Sequence, residues 1–118
     1  MNRQELENRL INFAVDVIKL TNYHKNNYAG NHLSGQIIRS ATSVPLNYGE
    51  AQSAESKKDF VHKLQIVLKE LRETMVNLKI IKGAQLSNNI ELLDKVMIEN
   101  DELIAIMIKT IQTLKSKM

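Results

Sequence analysis

The chain has 118 residues, 43% hydrophobic and 25% charged, with 16 Lys and Arg against 13 Asp and Glu for a net charge of +3. Without cysteine it forms no disulfide, thiolate metal site or cysteine nucleophile, and four Gly and one Pro are too few turns for an all-β fold. The length suits one domain, 1–118; the aliphatic-rich, turn-poor composition predicts an all-α protein, and the absence of a long apolar run or an apolar leader predicts a cytoplasmic one with no membrane partner.

The first helix is predicted over 3–24. Asn2 precedes Glu5 by three, so a short polar side chain can accept from a first-turn amide while a carboxylate sits at the positive end of the helix dipole. Leu6, Leu10, Phe13, Ala14, Val17 and Leu20 form its apolar stripe. Ile11, Val15 and Ile18 widen that arc beyond half the circumference, which marks them as candidate oligomer contacts. Asn26, Asn27 and Gly30 read as a loop bracketed by His24 and His32, and both histidines read as surface residues because no carboxylate set accompanies them.

The second helix, 32–53, has a weak start near Asn31 and a stripe of Leu33, Ile37, Ala41, Val44, Tyr48 and Ala51. The only proline, Pro45, lies inside it, where loss of a backbone donor and crowding of the preceding turn cost about 3 kcal/mol or more. Small neighbours (Ser40, Ala41, Thr42, Ser43, Gly49 and Ala51) predict a kinked helix packed closely on another. A polar stripe of His32, Gln36, Arg39, Ser43, Asn47 and Glu50 reads as a buried hydrogen-bond network, a contact between subunits or a solvated face. Arg39 is placed to pair with a carboxylate on another helix.

The third helix, 57–82, starts at Ser56 with Asp59 three residues on, and its seam is Phe60, Leu64, Val67, Leu71, Met75 and Leu78. Ile66, Val76 and Ile80 fall opposite that seam and join the candidate oligomer contacts. Seven cations against Asp59, Glu70 and Glu73 give the segment its excess charge, with Asp59–Lys63 and Lys69–Glu73 spaced to pair locally. Asp59 and His62 have the spacing of a di-iron ligand pair, but the second pair and further inward carboxylates are absent, so no metal is expected.

The fourth helix, 89–116, starts at Asn88 with Glu91 three residues on. It carries a strict repeat: Ile90, Leu93, Met97, Asn100, Ile104, Met107, Ile111 and Leu114, with Leu92, Val96, Leu103 and Ile106 as surplus beside it. Asn100 inside the seam is read as a register-setting polar residue or as an exposed or water-bridged one.

Similar lengths joined by short loops predict an antiparallel up-down-up-down four-helix bundle. Its apolar surface exceeds what one bundle hides, which predicts association with copies of itself. Arg3, Lys57, Lys58, Lys63, Lys115 and Lys117 would gather at one end as a basic rim, a candidate contact for RNA or DNA phosphates or else an ordinary solvated face. No nucleophile–base set and no glycine-rich phosphate loop appears, so neither an enzyme, a cofactor nor a small-molecule substrate is expected.

The segment Ile37-Ile-Arg-Ser-Ala-Thr-Ser-Val-Pro-Leu-Asn-Tyr-Gly-Glu-Ala51, with Ser53–Phe60 and Leu68–Thr74, resembles the four-helix-bundle family first noticed in intervening sequences of bacterial 23S ribosomal RNA genes. The similarity spans nearly the whole chain. Its motif falls on Arg39, Ser43, Val44, Pro45, Asn47 and Glu50; Tyr48 and Gly49-Glu50-Ala51 depart from the commoner Ile-Ala-Glu-Gly. The resemblance implies a kinked second helix and a ring-like, pentameric homo-oligomer. It also implies kinship with the basic accessory protein of diversity-generating retroelements, which works beside a reverse transcriptase and its RNA. The expected function is a non-enzymatic, self-assembling interaction module that contacts structured RNA or DNA. The alternative is a purely structural or protein-binding oligomer with no nucleic-acid role.

Overall fold

The computed structural model describes all residues, Met1 to Met118. Four helices follow one another: α1 (Arg3–Thr21), α2 (Tyr28–Ala51), α3 (Lys57–Gly83) and α4 (Ile90–Ser116). Each packs on its neighbours in sequence, and α1 also packs on α4, so α1 and α3 occupy opposite corners of the bundle, as do α2 and α4. Arg9 meets Glu99 and Glu102 whereas Asp16 faces Lys95, so α1 and α4 run in opposite directions. Arg39 with Glu70 and Glu50 with Lys63 set the same opposition between α2 and α3.

Local chemistry sets the helix ends, and two starts differ from the sequence expectation. The Asn2 and Ser56 side chains accept from the Glu5 and Asp59 amides at 2.8 and 3.0 Å, as their spacing implied. Helix α2 starts at Tyr28, earlier than expected, because Asn27 is its cap and accepts from the Gly30 amide at 2.8 Å. Gly30 therefore lies in the first turn, where a Cβ would come within 2.0 Å of the Lys25 carbonyl oxygen, so only glycine fits. Helix α4 is capped by Asn89 rather than Asn88; its side chain accepts from the Leu92 amide at 3.0 Å.

The end of α3 is held by a pair of backbone bonds, Leu86 N to Ile81 O at 3.0 Å and Gln85 N to Lys82 O at 3.1 Å. That closure demands a left-handed residue, and Gln85 supplies it at φ 55 in place of the usual glycine. Leu86 then packs into the core, and its carbonyl accepts from Lys25 N at 2.8 Å. Asn88 N donates to Tyr23 O, also at 2.8 Å, so the α1–α2 and α3–α4 loops are bonded to each other.

The core is a cluster of 22 residues drawn from all four helices. The predicted α1 stripe is buried throughout. On α3 the buried line is Val61, Leu64, Val67, Leu71, Thr74, Leu78 and Ile81, which leaves Phe60 and Met75 at its margin. On α4 Val96 and Leu103, expected as surplus, are in the core, while Ile90 is 50% exposed. A strict seven-residue repeat drifts around a straight helix of 3.6 residues per turn, and the buried line follows the helix rather than the repeat.

Helix α2 continues through Pro45. The ring removes the usual donor to the Ala41 carbonyl, and nearby side chains donate to the carbonyls around it. Ser43 Oγ reaches Arg39 O at 2.7 Å, Thr42 Oγ1 reaches Ile38 O at 2.6 Å, and Asn47 Nδ2 reaches Ser43 O at 2.8 Å. Such hydroxyl back-bonding tends to bend a helix.

Asn100 is fully buried, and neither its Nδ2 nor its Oδ1 has a hydrogen-bond partner. The reading of an exposed Asn100 is therefore overturned. Each unsatisfied buried polar group costs roughly 1–3 kcal/mol. The near-isosteric Asn100→Leu should raise the unfolding free energy by about 1–3 kcal/mol, read as a higher urea midpoint at unchanged slope; a lower midpoint would show that the amide contributes to stability.

Candidate interaction surfaces

Three surfaces carry the candidate residues. The first is the expected basic rim. Arg3, Lys57, Lys58, Lys115 and Lys117 are exposed there, and Lys58, His62, Lys115 and Met118 share one hollow, which sets the start of α3 beside the end of α4. Lys63 does not belong to a free rim: it is half-buried, with its Nζ 3.5 Å from Glu50 on α2.

The intrahelical pairs read from the sequence give way to pairs between helices. Lys63 takes Glu50, and Glu73 takes Arg39. Lys82 reaches Asp94 on α4 at 2.8 Å. Lys57, Lys58, Lys69, Arg72 and Lys79 are left with no carboxylate partner. Lys58, His62, Gln65, Lys69, Arg72, Val76 and Lys79, all exposed, recur every three or four residues and so line one outer face of α3. That stripe runs about 32 Å at the usual 1.5 Å rise. The rim reading missed Lys69, Arg72 and Lys79, although their spacing was visible.

The second surface is apolar. Ile11, Val15 and Ile18 on α1 are 43%, 41% and 43% exposed, and Val76 and Ile80 on α3 are 56% and 47% exposed. Ile66, expected beside the last two, is only half-exposed. Leu46 and Ile98 are more exposed than any of these, and the sequence reading singled out neither.

The third surface is the polar contact of α2 with α3, where part of the family motif lies. The Arg39 guanidinium donates to Glu70 at 3.1 Å and to Glu73, both on α3, and these partners raise its pKa, with the Glu73 hydrogen bond the largest cause. Beneath it Ser40 and Thr74, both fully buried, bring their hydroxyls to 2.8 Å; Thr74 donates to the Glu70 carbonyl at 2.8 Å, so Ser40 donates to Thr74. The polar stripe of α2 therefore divides. Arg39 joins α3 directly, Ser43 and Asn47 serve the α2 backbone around Pro45, and Glu50 meets Lys63. A matching clamp on the opposite side, Arg9 donating to Glu99 and Glu102 at 2.6–2.8 Å, ties α1 to α4.

His24 is not a surface residue. It is half-buried, and Ser34, whose hydroxyl donates to Gly30 O at 2.7 Å, must accept from His24 Nδ1 at 2.7 Å. The neutral ring therefore carries its proton on Nδ1, and the buried Nε2 has no partner. His32 and His62 are exposed, with His32 stacked on Tyr28 at 5.8 Å. No three His, Asp or Glu side chains group as metal ligands.

These surfaces sit on a four-helix bundle, which is the class of protein the fold defines. The family model of the 23S rRNA-intervening sequence protein matches residues 3–109, and the chain belongs to that family. A solved structure of a protein with unknown function from the S23 ribosomal protein family of Bacteroides thetaiotaomicron is similar to it. The TM-score is 0.77 at 29% identity, covering 89% of this chain and 96% of that one. No curated protein matches the chain.

Burial lowers the His24 pKa, so below the ordinary value near 6.5 the unfolded chain binds the proton that the folded chain resists. Stability should be level above about pH 7 and fall as the pH drops through about 6.5 toward the lowered folded value. The pH dependence of the urea midpoint between about pH 5.5 and 7.5 checks this, because His24→Gln should flatten it. An unchanged slope in the variant would assign the effect elsewhere.

Proposed function

We propose that the protein is a non-enzymatic, self-associating helical module that contacts the phosphate backbone of structured RNA or DNA through the outer face of α3. The observation that carries this reading is the stripe of α3 cations without carboxylate partners, continuous at one end with Lys57, Lys58 and Lys115. Interhelical pairing supports it. Arg39 occupies both Glu70 and Glu73, so the carboxylates of α3 do not neutralise its own outer lysines. Neutralising phosphates releases condensed counterions, so such binding weakens steeply with salt and reads little sequence.

Binding of a fluorescent hairpin RNA, followed by anisotropy across a salt series, tests it. Lys69→Glu with Arg72→Glu should weaken binding at every salt concentration and reduce the magnitude of the salt slope by about two, one for each phosphate that is no longer neutralised. Salt-independent binding, or none in the unsubstituted protein, would overturn the reading.

A second copy of the chain is the occupant proposed for the apolar strips. Because Val76 lies between Arg72 and Lys79, a copy seated on α3 would cover that end of the cation stripe and leave the Lys57–Lys69 end open to phosphate. The strips lie on α1 and α3, which do not touch, so one strip cannot cover the other within a copy. Two different patches on opposite corners favour a head-to-tail contact, which yields a closed ring or a filament rather than a two-fold dimer. This arrangement also serves the alternative of a purely structural or protein-binding oligomer. Light scattering should give a mass of several chains at micromolar concentration. Val15→Glu, on an exposed position, should reduce it to one chain with helicity intact; a monomeric unsubstituted protein would end the assembly reading.

A further inference from the structure

The contact of α2 with α3 opens outward into a groove of about 210 Å³ lined by Gln36, Arg39, Glu73 and Asn77, with no hydrophobic side chain among them. Glu70, only 9% exposed, stands behind Arg39. One guanidinium against two carboxylates leaves the groove one net negative charge. Each carboxylate offers about four acceptor sites, and Arg39 supplies a single hydrogen bond to each, so most of that capacity is unused. Asn77 is 8% exposed, and its amide opens into the groove without a hydrogen-bonding partner in the chain. The side chain is packed in place while its amide atoms stay open to the groove, so donors and a carbonyl are available there to a visitor.

These features select the visitor. An apolar ligand finds no apolar wall, and an anion meets two carboxylates whose paired cation, Arg39, is already engaged. A divalent metal lacks a third ligand of its kind, since no three such side chains converge. A primary ammonium fits: it brings one positive charge and three donors, and the groove offers acceptors to match, the free lone pairs of Glu73 and the amide carbonyls of the lining Asn77 and Gln36.

We propose that this groove binds an alkylammonium group, either a free amine or a lysine side chain from a second copy, between Glu73, Glu70 and the Asn77 amide. The site uses none of the α3 cations, borders the α3 apolar strip at Val76 and Ile80, and stands whether or not nucleic acid binds. Its occupant would bridge the two helices that Arg39 already joins.

Titration of the full-length, isotopically labelled chain with n-butylamine, against sodium chloride at matched ionic strength, tests this by nuclear magnetic resonance. The Asn77 and Gln36 side-chain NH2 signals should shift saturably with the amine and not with the salt. In Glu73→Gln, an exposed position where the fold should persist, saturation should be lost, whereas Lys69→Gln should leave it intact. If the lysine of a second copy is the occupant, the same signals should move with protein concentration alone, and n-butylamine should compete with that lysine and lower the mass read by light scattering. The proposal fails if neither titration moves those signals, if Glu73→Gln responds like the unsubstituted chain, or if all exposed carboxylates respond alike.

Discussion

The contact between α2 and α3 is the constraint on which the rest of the molecule hangs. Two buried hydroxyls, Ser40 and Thr74, meet at 2.8 Å beneath the ion pair of Arg39 with Glu70. That distance is reachable because α2 presents small residues there, including the fully buried Ala41. A larger residue would push the helices apart and strand both hydroxyls away from water. The polar contact is also laterally exclusive: sliding one helix by a turn would separate the hydroxyls and detach Arg39 from Glu70 and Glu73. Hydrophobic burial supplies the drive to pack, and this layer fixes the register.

The ion pairs follow the same division of labour. Exposed pairs contribute only about 0–1 kcal/mol each, so their value lies in geometry. Arg9 with Glu99 and Glu102 positions α1 against α4, and Lys82 with Asp94 positions α3 against α4. Six residues beyond Asp94 and six before Lys82, Asn100 comes level with the middle of α3, near Thr74 and Asn77. Apart from Ser87 in the α3–α4 loop, the buried polar residues thus gather at one height of the bundle. Because carboxylates are drawn inward and sideways into these pairs, the outer face of α3 keeps its positive charge.

Much of this architecture is legible in the residues, and the exceptions have local causes. The α1 stripe needed only apolar spacing, because all six of its members point inward. The start of α2 was obscured by Asn27 and Gly30, which look like loop formers yet act as cap and first-turn residue. The α4 seam was misread because Val96 and Leu103 lie within one helical step of the repeat, and only the neighbouring helices decide which line is covered. The pairing of Arg39 was anticipated, but not that it would take both Glu70 and Glu73. Spacing within one helix does not reveal a carboxylate approaching from another. His24 looked solvated because a loop histidine gives no sign of its half-buried partner, Ser34, ten residues away.

The cross-bonded loops give the rod two unlike ends. Near Tyr23–Lys25 and Leu86–Asn88 two main-chain bonds tie the α1–α2 loop to the α3–α4 loop, and among substitutions only proline at position 25 or 88 removes a donor. At the far pole a single connection, 52–56, and the two chain ends have no comparable lacing. Thermal opening should therefore be lopsided, with the helices splaying from the unlaced pole while the knotted one stays shut. The lysine cluster of the rim sits at that unlaced pole, so its spacing is set by side-chain packing alone, whereas the opposite pole is pinned by the backbone.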